Sequence, residues 1–128
     1  MNMGINERDP LTAAVIGAAI EGHRHLGPGL LEKAYEVALC AELELCGIAF
    51  QRQVPQPVHY KGVDLDCEYR MDIVVEGRLI LELKSVEALL PLHTAQILTY
   101  MKLANIRVGL LMNFNTPMLK DGFKRYVL

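Results

Sequence analysis

The chain reads as an α/β protein, a mixed β-sheet flanked by helices, in the order helix, helix, three strands, helix, strand, strand. Three observations predict this. Two helical apolar stripes open the sequence, and alternation of period two replaces them from Val54 onward. A third helical segment then separates two strand-like apolar runs. The strand–helix–strand unit, Leu79 to Phe114, predicts a parallel crossover of the right hand.

Residues 1–8 are expected to be a loose start, and the rest a single domain within the 128 residues. Asp9 is placed to cap a helix whose first position is Pro10. Leu11, Val15, Ala18, Ala19, Gly22 and Leu26 follow at helical spacing, and Gly27-Pro28-Gly29 ends the helix. A second helix is expected from about Leu30 to Cys46, with Leu31, Ala34, Tyr35, Ala38, Leu39 and Leu43 as its apolar stripe. Gly47 then stands where a left-handed cap belongs.

Val58 and Tyr60 lead into a turn at Lys61-Gly62. A long half-buried strand follows, with Leu65, Cys67, Tyr69, Met71, Ile73 and Val75 on one face. Asp64, Asp66, Glu68, Arg70 and Asp72 take the other face. A strand from Leu79 to Val86 comes next. A two-residue loop at Glu76-Gly77 would pair Met71 with Glu82. A three-residue loop, Glu76 to Arg78, pairs Val75 with Leu79, Ile73 with Leu81 and Met71 with Leu83. The second register matches apolar to apolar, and a one-residue slip would reverse every face. It sets Asp72 directly across from Glu82, with Lys84 two residues further on that face. Pro91 opens a helix from about Leu92 to Asn105, with Ala95, Leu98 and Met101 inward and Gln96 and Tyr100 one turn apart. Arg107 to Phe114 is a strand covered on both faces, and Phe123 to Leu128 a final edge strand.

Apolar residues make up 52% and charged residues 22%, which excludes global disorder. No apolar run reaches the roughly 18 residues of a membrane span, and no basic-then-apolar leader opens the chain. The expected location is the cytoplasm. A net charge of −2 excludes a strongly basic nucleic-acid binder. Cys40, Cys46 and Cys67 form no CxxC pair and read as small buried thiols rather than disulfides or zinc ligands.

The chemistry concentrates at Asp72, Glu82 and Lys84. Two charges enter the otherwise apolar strand that begins Leu79-Ile80-Leu81, and buried charge is costly unless paired or metal-bound. Two carboxylates about 4–6 Å apart can hold a hard cation such as Mg²⁺. The cation polarises a phosphate oxygen and activates a water, while a lysine orients that water or offsets developing charge. The structural alternative is a buried Asp72–Glu82–Lys84 salt network.

The segment MDIVVEGRLILELK, from Met71 to Lys84, resembles the core motif of the PD-(D/E)XK nuclease superfamily. GPGLLEKAYE carries Gly29, Glu32 and Tyr35 in the Gly-x-x-Glu-x-x-Tyr spacing of the GxxExxY protein family, a small member of that superfamily. The likeness continues through PVHYKG, ELKSVEALLPLHTAQILTYMKL, GLLMNFN and KRYVL. It implies a restriction-endonuclease-like core. It also implies Asp72 and Glu82 as metal-binding acids, Lys84 as the catalytic lysine, and Glu32 as the helix-borne acid that completes the metal shell or holds its water. Gln96 and Tyr100 match the Gln-x-x-x-Tyr helix motif of the RecB-like branch, which lies beside the active site and contacts nucleic acid or the lysine. The tight turn between Asp72 and Glu82 leaves no inserted recognition element there.

Tyr35 and His93 are further site candidates. Tyr35 also reads as a core tyrosine with a tethered hydroxyl, and Glu32 as a residue favouring the helix dipole. His23 and His25, two apart, share no helix face, and Lys120, Lys124 and Arg125 read as a solvated basic tail. The resulting expectation is a Mg²⁺- or Mn²⁺-dependent nuclease acting on nucleic acid, DNA in particular, with no membrane partner and with a homodimer plausible from the high apolar fraction. The rival expectation is a non-catalytic nucleic-acid- or partner-binding module that keeps the nuclease fold.

Overall fold

Three helices and a mixed five-stranded sheet make up the body of the molecule, accompanied by a short two-stranded hairpin. The computed structural model describes residues 9–128, so the expected loose segment 1–8 lies outside the described residues. Helix α1 spans Pro10–Leu26 and opens as anticipated, with the Asp9 carboxylate accepting the Thr12 N–H and Pro10 at the first turn. Arg125 reaches the same carboxylate at 3.6 Å. Its side chain is only 10% exposed, which takes it out of the solvated basic tail expected for it.

Helix α2 spans Glu32–Leu45 and starts two residues later than the apolar stripe suggested. Leu30 and Leu31 are exposed and extend toward the helix rather than joining it. Gly47, at φ 70°, ends the helix as expected: the N–H of Ile48 bonds back to the Leu43 carbonyl and that of Gly47 to the Glu44 carbonyl. Both helices cover one face of the sheet, where Val15, Ala19, Tyr35, Leu39 and Leu43 meet Ile73, Val75, Leu79, Leu81, Leu83, Leu110 and Phe114.

The strands are β1 (Phe50–Pro55), β2 (His59–Tyr60), β3 (Val63–Asp64), β4 (Arg70–Val75) and β5 (Leu79–Lys84). Helix α3 (Pro91–Ala104), β6 (Val108–Asn113) and β7 (Phe123–Val127) complete the chain. The sheet order is β1-β4-β5-β6-β7, with β5 and β6 parallel across α3 and β7 at an edge. The β4–β5 register is the one that apolar matching selects, Val75 with Leu79 and Ile73 with Leu81.

Four expectations need correction. The first strand begins at Phe50, not Val54, because Phe50, Gln51 and Arg52 pair with Val75, Val74 and Ile73 of β4. The long strand expected from Leu65 is strand only from Arg70. Residues Leu65 to Tyr69 are exposed and have no partner strand to pair with, and Asp66 takes a left-handed φ of 51°. The inward face of α3 is Ile97, Tyr100 and Met101, with Ala95 exposed, because the helix seats itself on Gly109, where a Cβ would lie 2.8 Å from the Met101 sulfur. Finally, the ladder stops at Ile73–Leu81, so Asp72 is not paired with Glu82, nor Met71 with Leu83. Met71 packs with Val74, Ile80, Ile97, Tyr100 and Leu111 on the α3 face. Of the cysteines, Cys40 is buried, whereas Cys46 and Cys67 are exposed, and all three are free thiols.

Candidate active site

The site is built where the β4–β5 ladder stops. Beyond the Ile73–Leu81 pair, side chains take over from the backbone. The Asp72 carboxylate accepts the Leu83 N–H at 2.8 Å, and the Glu82 carboxylate accepts the Asp72 N–H at 3.3 Å. Each acid thus places a side-chain oxygen on a backbone N–H of the neighbouring strand. Period two places Glu82 and Lys84 on the α3 face of β5, so the register argument from the apolar residues also positions the acids.

Glu82 is 3% exposed. Burial, and next the negative charge of Asp72, push its pKa up to about 8. Burial also raises the pKa of Asp72, against the Leu83 hydrogen bond that lowers it; the charges of Glu36 and Glu32 add to the rise. Two acids this close do not both ionise easily without a cation. Lys84 is half-buried and donates to the Gln96 carbonyl oxygen at 3.2 Å. Among the described residues its ammonium makes no ion pair, so it does not close the salt network that was the structural alternative. The Gln96 amide lies 3.5 Å from the Tyr100 hydroxyl. Tyr100 is buried, and burial followed by the Glu82 charge raises its pKa. Lys84, Gln96 and Tyr100 therefore form one polar line from β5 to α3, beside the acid pair.

Glu32 stands in the first turn of α2 and is exposed. Tyr35 lies on the opposite face of the sheet from Lys84, 1% exposed, its hydroxyl donating to the Gly27 carbonyl and accepting the Leu30 N–H. That geometry ties down the loop between α1 and α2, and no contact carries Tyr35 to the acids. His93 turns its Nδ1 to the Leu90 N–H at 2.9 Å, at the start of its own helix, rather than to the site.

Two residues went unnoticed in the sequence. Glu36, one turn after Glu32 on α2, is 5% exposed. Its carboxylate takes the Arg52 guanidinium at 2.7 Å and the Gln53 amide at 2.7 Å. Gln53 has a left-handed φ of 48° at the place in β1 that register sets opposite Asp72, and the β1–β4 pairing skips it. Asn113, at the end of β6, is buried and clamps the chain after β5 by accepting the Val86 N–H and donating to the Val86 carbonyl. The local cue for both was a polar residue in an apolar run, and the partners lie 16 to 27 residues away.

The donor set suits a hard cation. Asp72 and Glu82 each spend one oxygen on a backbone N–H and keep another, which matches Mg²⁺ held by one or two carboxylates and otherwise by water. Among the described residues no group of three or more His, Cys, Asp or Glu side chains is placed to hold a metal ion by itself. The helix–sheet–helix layering and the strand-borne acid pair followed by lysine define the restriction-endonuclease-like α/β class. A family model of the PD-(D/E)XK nuclease superfamily matches residues 9–126, and the chain belongs to that superfamily. No curated protein and no solved structure shows a significant match. Among the described residues no helix is long and apolar enough to cross a membrane.

Proposed function

We propose that this chain is a divalent-metal-dependent nuclease that hydrolyses phosphodiester bonds, with DNA as substrate and Mg²⁺ or Mn²⁺ as cofactor. The observation that carries this reading is the Asp72–Glu82 carboxyl pair, Glu82 buried and raised to about 8 beside the half-buried Asp72, with Lys84 alongside and, among the described residues, without an ion pair. Such a pair is an expensive ornament in a core, but it becomes favourable once a cation sits on it. A bound divalent ion would supply charge to a phosphate oxygen and acidity to a water. Asp72 and Glu82 would hold it through their remaining oxygens, and Glu32, at the exposed mouth, would accept from its waters. The Lys84 ammonium, steadied by Gln96, would orient the attacking water and offset charge on the phosphate. Tyr100 would hold Gln96 in place and line the substrate side. Membership of the GxxExxY branch is part of the proposal and rests on Gly29, Glu32 and Tyr35. The exposed Leu31, Leu45 and Leu92 support a homodimer, and three free cysteines support a cytoplasmic setting.

The test is isothermal titration of Mn²⁺ into wild type and Asp72→Ala, with plasmid, linear and single-stranded substrates incubated in parallel. Mn²⁺ binding lost in Asp72→Ala, together with metal-dependent cleavage, supports the proposal. Absence of both from the wild type would leave a non-catalytic module. The net charge of −2 and the lack of a three-residue ligand cluster among the described residues favour that second reading.

A further inference from the structure

Between β1 and β4 the chain leaves the sheet as an arm. The Gln56 N–H bonds to the Tyr69 carbonyl at 2.8 Å and closes its base, and the β2–β3 hairpin forms its tip. Tyr69 sits at that base, immediately before β4 and three residues before Asp72, about 10 Å along the chain at roughly 3.3 Å per residue. Its ring is 46% exposed, yet it is not loose. The Tyr69 N–H bonds to the Cys67 carbonyl, and the ring packs at 60° against Tyr100, centroids 6.4 Å apart. Tyr100 is the same side chain that stands beside the Gln96 amide, whose carbonyl oxygen takes the Lys84 ammonium, and that packs with Met71, the residue before Asp72. An aromatic surface is therefore held open to solvent one ring away from the polar line that ends at Lys84.

Beside that ring lies a cavity of about 200 Å³, lined among others by Pro57, Tyr69, Arg70, Asp64, Glu68 and Gln56. Gln56 is 7% exposed, an amide fixed by its bond to the Pro57 carbonyl. The carboxylates of the lining oppose a phosphate. They accept hydrogen bonds from exocyclic amino groups, as acidic side chains do from cytosine. Aromatic faces grip unpaired bases of any identity, because every base has a π-face.

We propose that this cavity is a pocket for one unpaired nucleobase, stacked on Tyr69, next to the phosphate that the acid pair engages. The inference rests on the nuclease reading and narrows it. The substrate strand is single, or frayed at the scissile step, because a paired base cannot enter the pocket. It also explains how a chain of net charge −2 grips a polyanion: the grip is on the base, and the salt dependence is correspondingly shallow.

The experiment measures binding of a fluorescent single-stranded oligodeoxynucleotide, its duplex, and the same single strand carrying one abasic site at the bound position. Wild type, Tyr69→Ala and Tyr69→Phe are compared in Ca²⁺ buffer, which holds strands without asking for turnover. Stacking predicts that Tyr69→Ala weakens single-strand binding about ten- to a hundredfold. Tyr69→Phe should stay near wild type, and the abasic strand should bind wild type and Tyr69→Ala alike. An exposed ring leaves the fold intact when truncated, which a matched thermal melt checks. Equal binding of the intact strand by wild type and Tyr69→Ala overturns the pocket, as does a duplex preference in the wild type. If the wild type also cleaves with Mn²⁺ in those cases, the nuclease reading survives without it. No binding of any strand and no cleavage sinks both.

Discussion

Raising the pH of the metal-free protein from 5 to 8 should weaken its fold. Glu82 ionises in the folded protein at about 8 and in the unfolded chain near its ordinary value of 4.5. Between those values the folded state holds a proton that the unfolded state has released. Stability is therefore full below about 4.5 and falls as pH rises toward 8. The gap of about 3.5 pH units corresponds to a ceiling of about 5 kcal/mol at 1.36 kcal/mol per unit. Asp72, also raised, adds to the loss with the same sign. A domain of this size has about 5–15 kcal/mol in total, so the loss should be plain in urea denaturation run in EDTA at half-unit pH intervals. Glu82→Gln should flatten the curve. Saturating Mn²⁺ should restore stability at pH 8 more than at pH 5, because the cation competes with the proton for the same oxygens. A flat profile between pH 5 and 8, or an unchanged slope in Glu82→Gln, would refute the assignment of a buried proton-sharing pair.

Lys84→Ala should keep Mn²⁺ binding, since both carboxylates remain, and lose cleavage by roughly 10²-fold or more; its melting temperature should move little, because the ammonium's partner is the neutral Gln96 amide. Asn113→Ala strips the Val86 N–H of its partner and leaves the Val86 carbonyl only the longer bond from the Asn115 amide, and should cost about 1–3 kcal/mol in chemical denaturation. Gly122→Ala would bring a Cβ to 2.3 Å from the Asn113 carbonyl oxygen and should destabilise by about 1–3 kcal/mol, read by the same assay. Thiol titration with a disulfide reagent at pH 8 should modify Cys46 and Cys67 quickly and Cys40 only on unfolding, because burial pushes the Cys40 thiol up to about 11.

Apolar residues carried most of what was legible in the sequence. The Ile73–Leu81 and Val75–Leu79 pairs were readable because burial on both faces penalises any other register; at Asp72 and Glu82 the ladder gives way to side-chain bonds that apolar matching does not encode. Alternation misled at Leu65 to Tyr69, where the pattern of a strand meets another segment only at its ends, the Leu65 N–H on the Val58 carbonyl and the Gln56 N–H on the Tyr69 carbonyl. Period 3.6 located α3 but not its rotation, since the close approach to Gly109, not the apolar count, decides which residues face the sheet. Glu36 and Asn113 were invisible for a different reason. Each is a buried polar group whose meaning lies in a partner distant along the chain, Arg52 in one case and Val86 in the other, and no local spacing encodes such a pair.

Asp72, Glu82, Lys84, Gln96 and Tyr100 all fall on one uninterrupted stretch, β4 through α3. Bringing them together therefore requires closing only short loops: a three-residue turn and the connection from β5 into α3. Closure entropy grows with the logarithm of loop length, so these contacts are among the least expensive in the topology. The longer-range pairing, β5 with β6, joins residues 29 apart, comes later in the chain and rewards a frame already drawn. A chain that folds from β4 onward can thus draw its reactive constellation in outline from β4, β5 and α3 alone, before β6 docks to flank it.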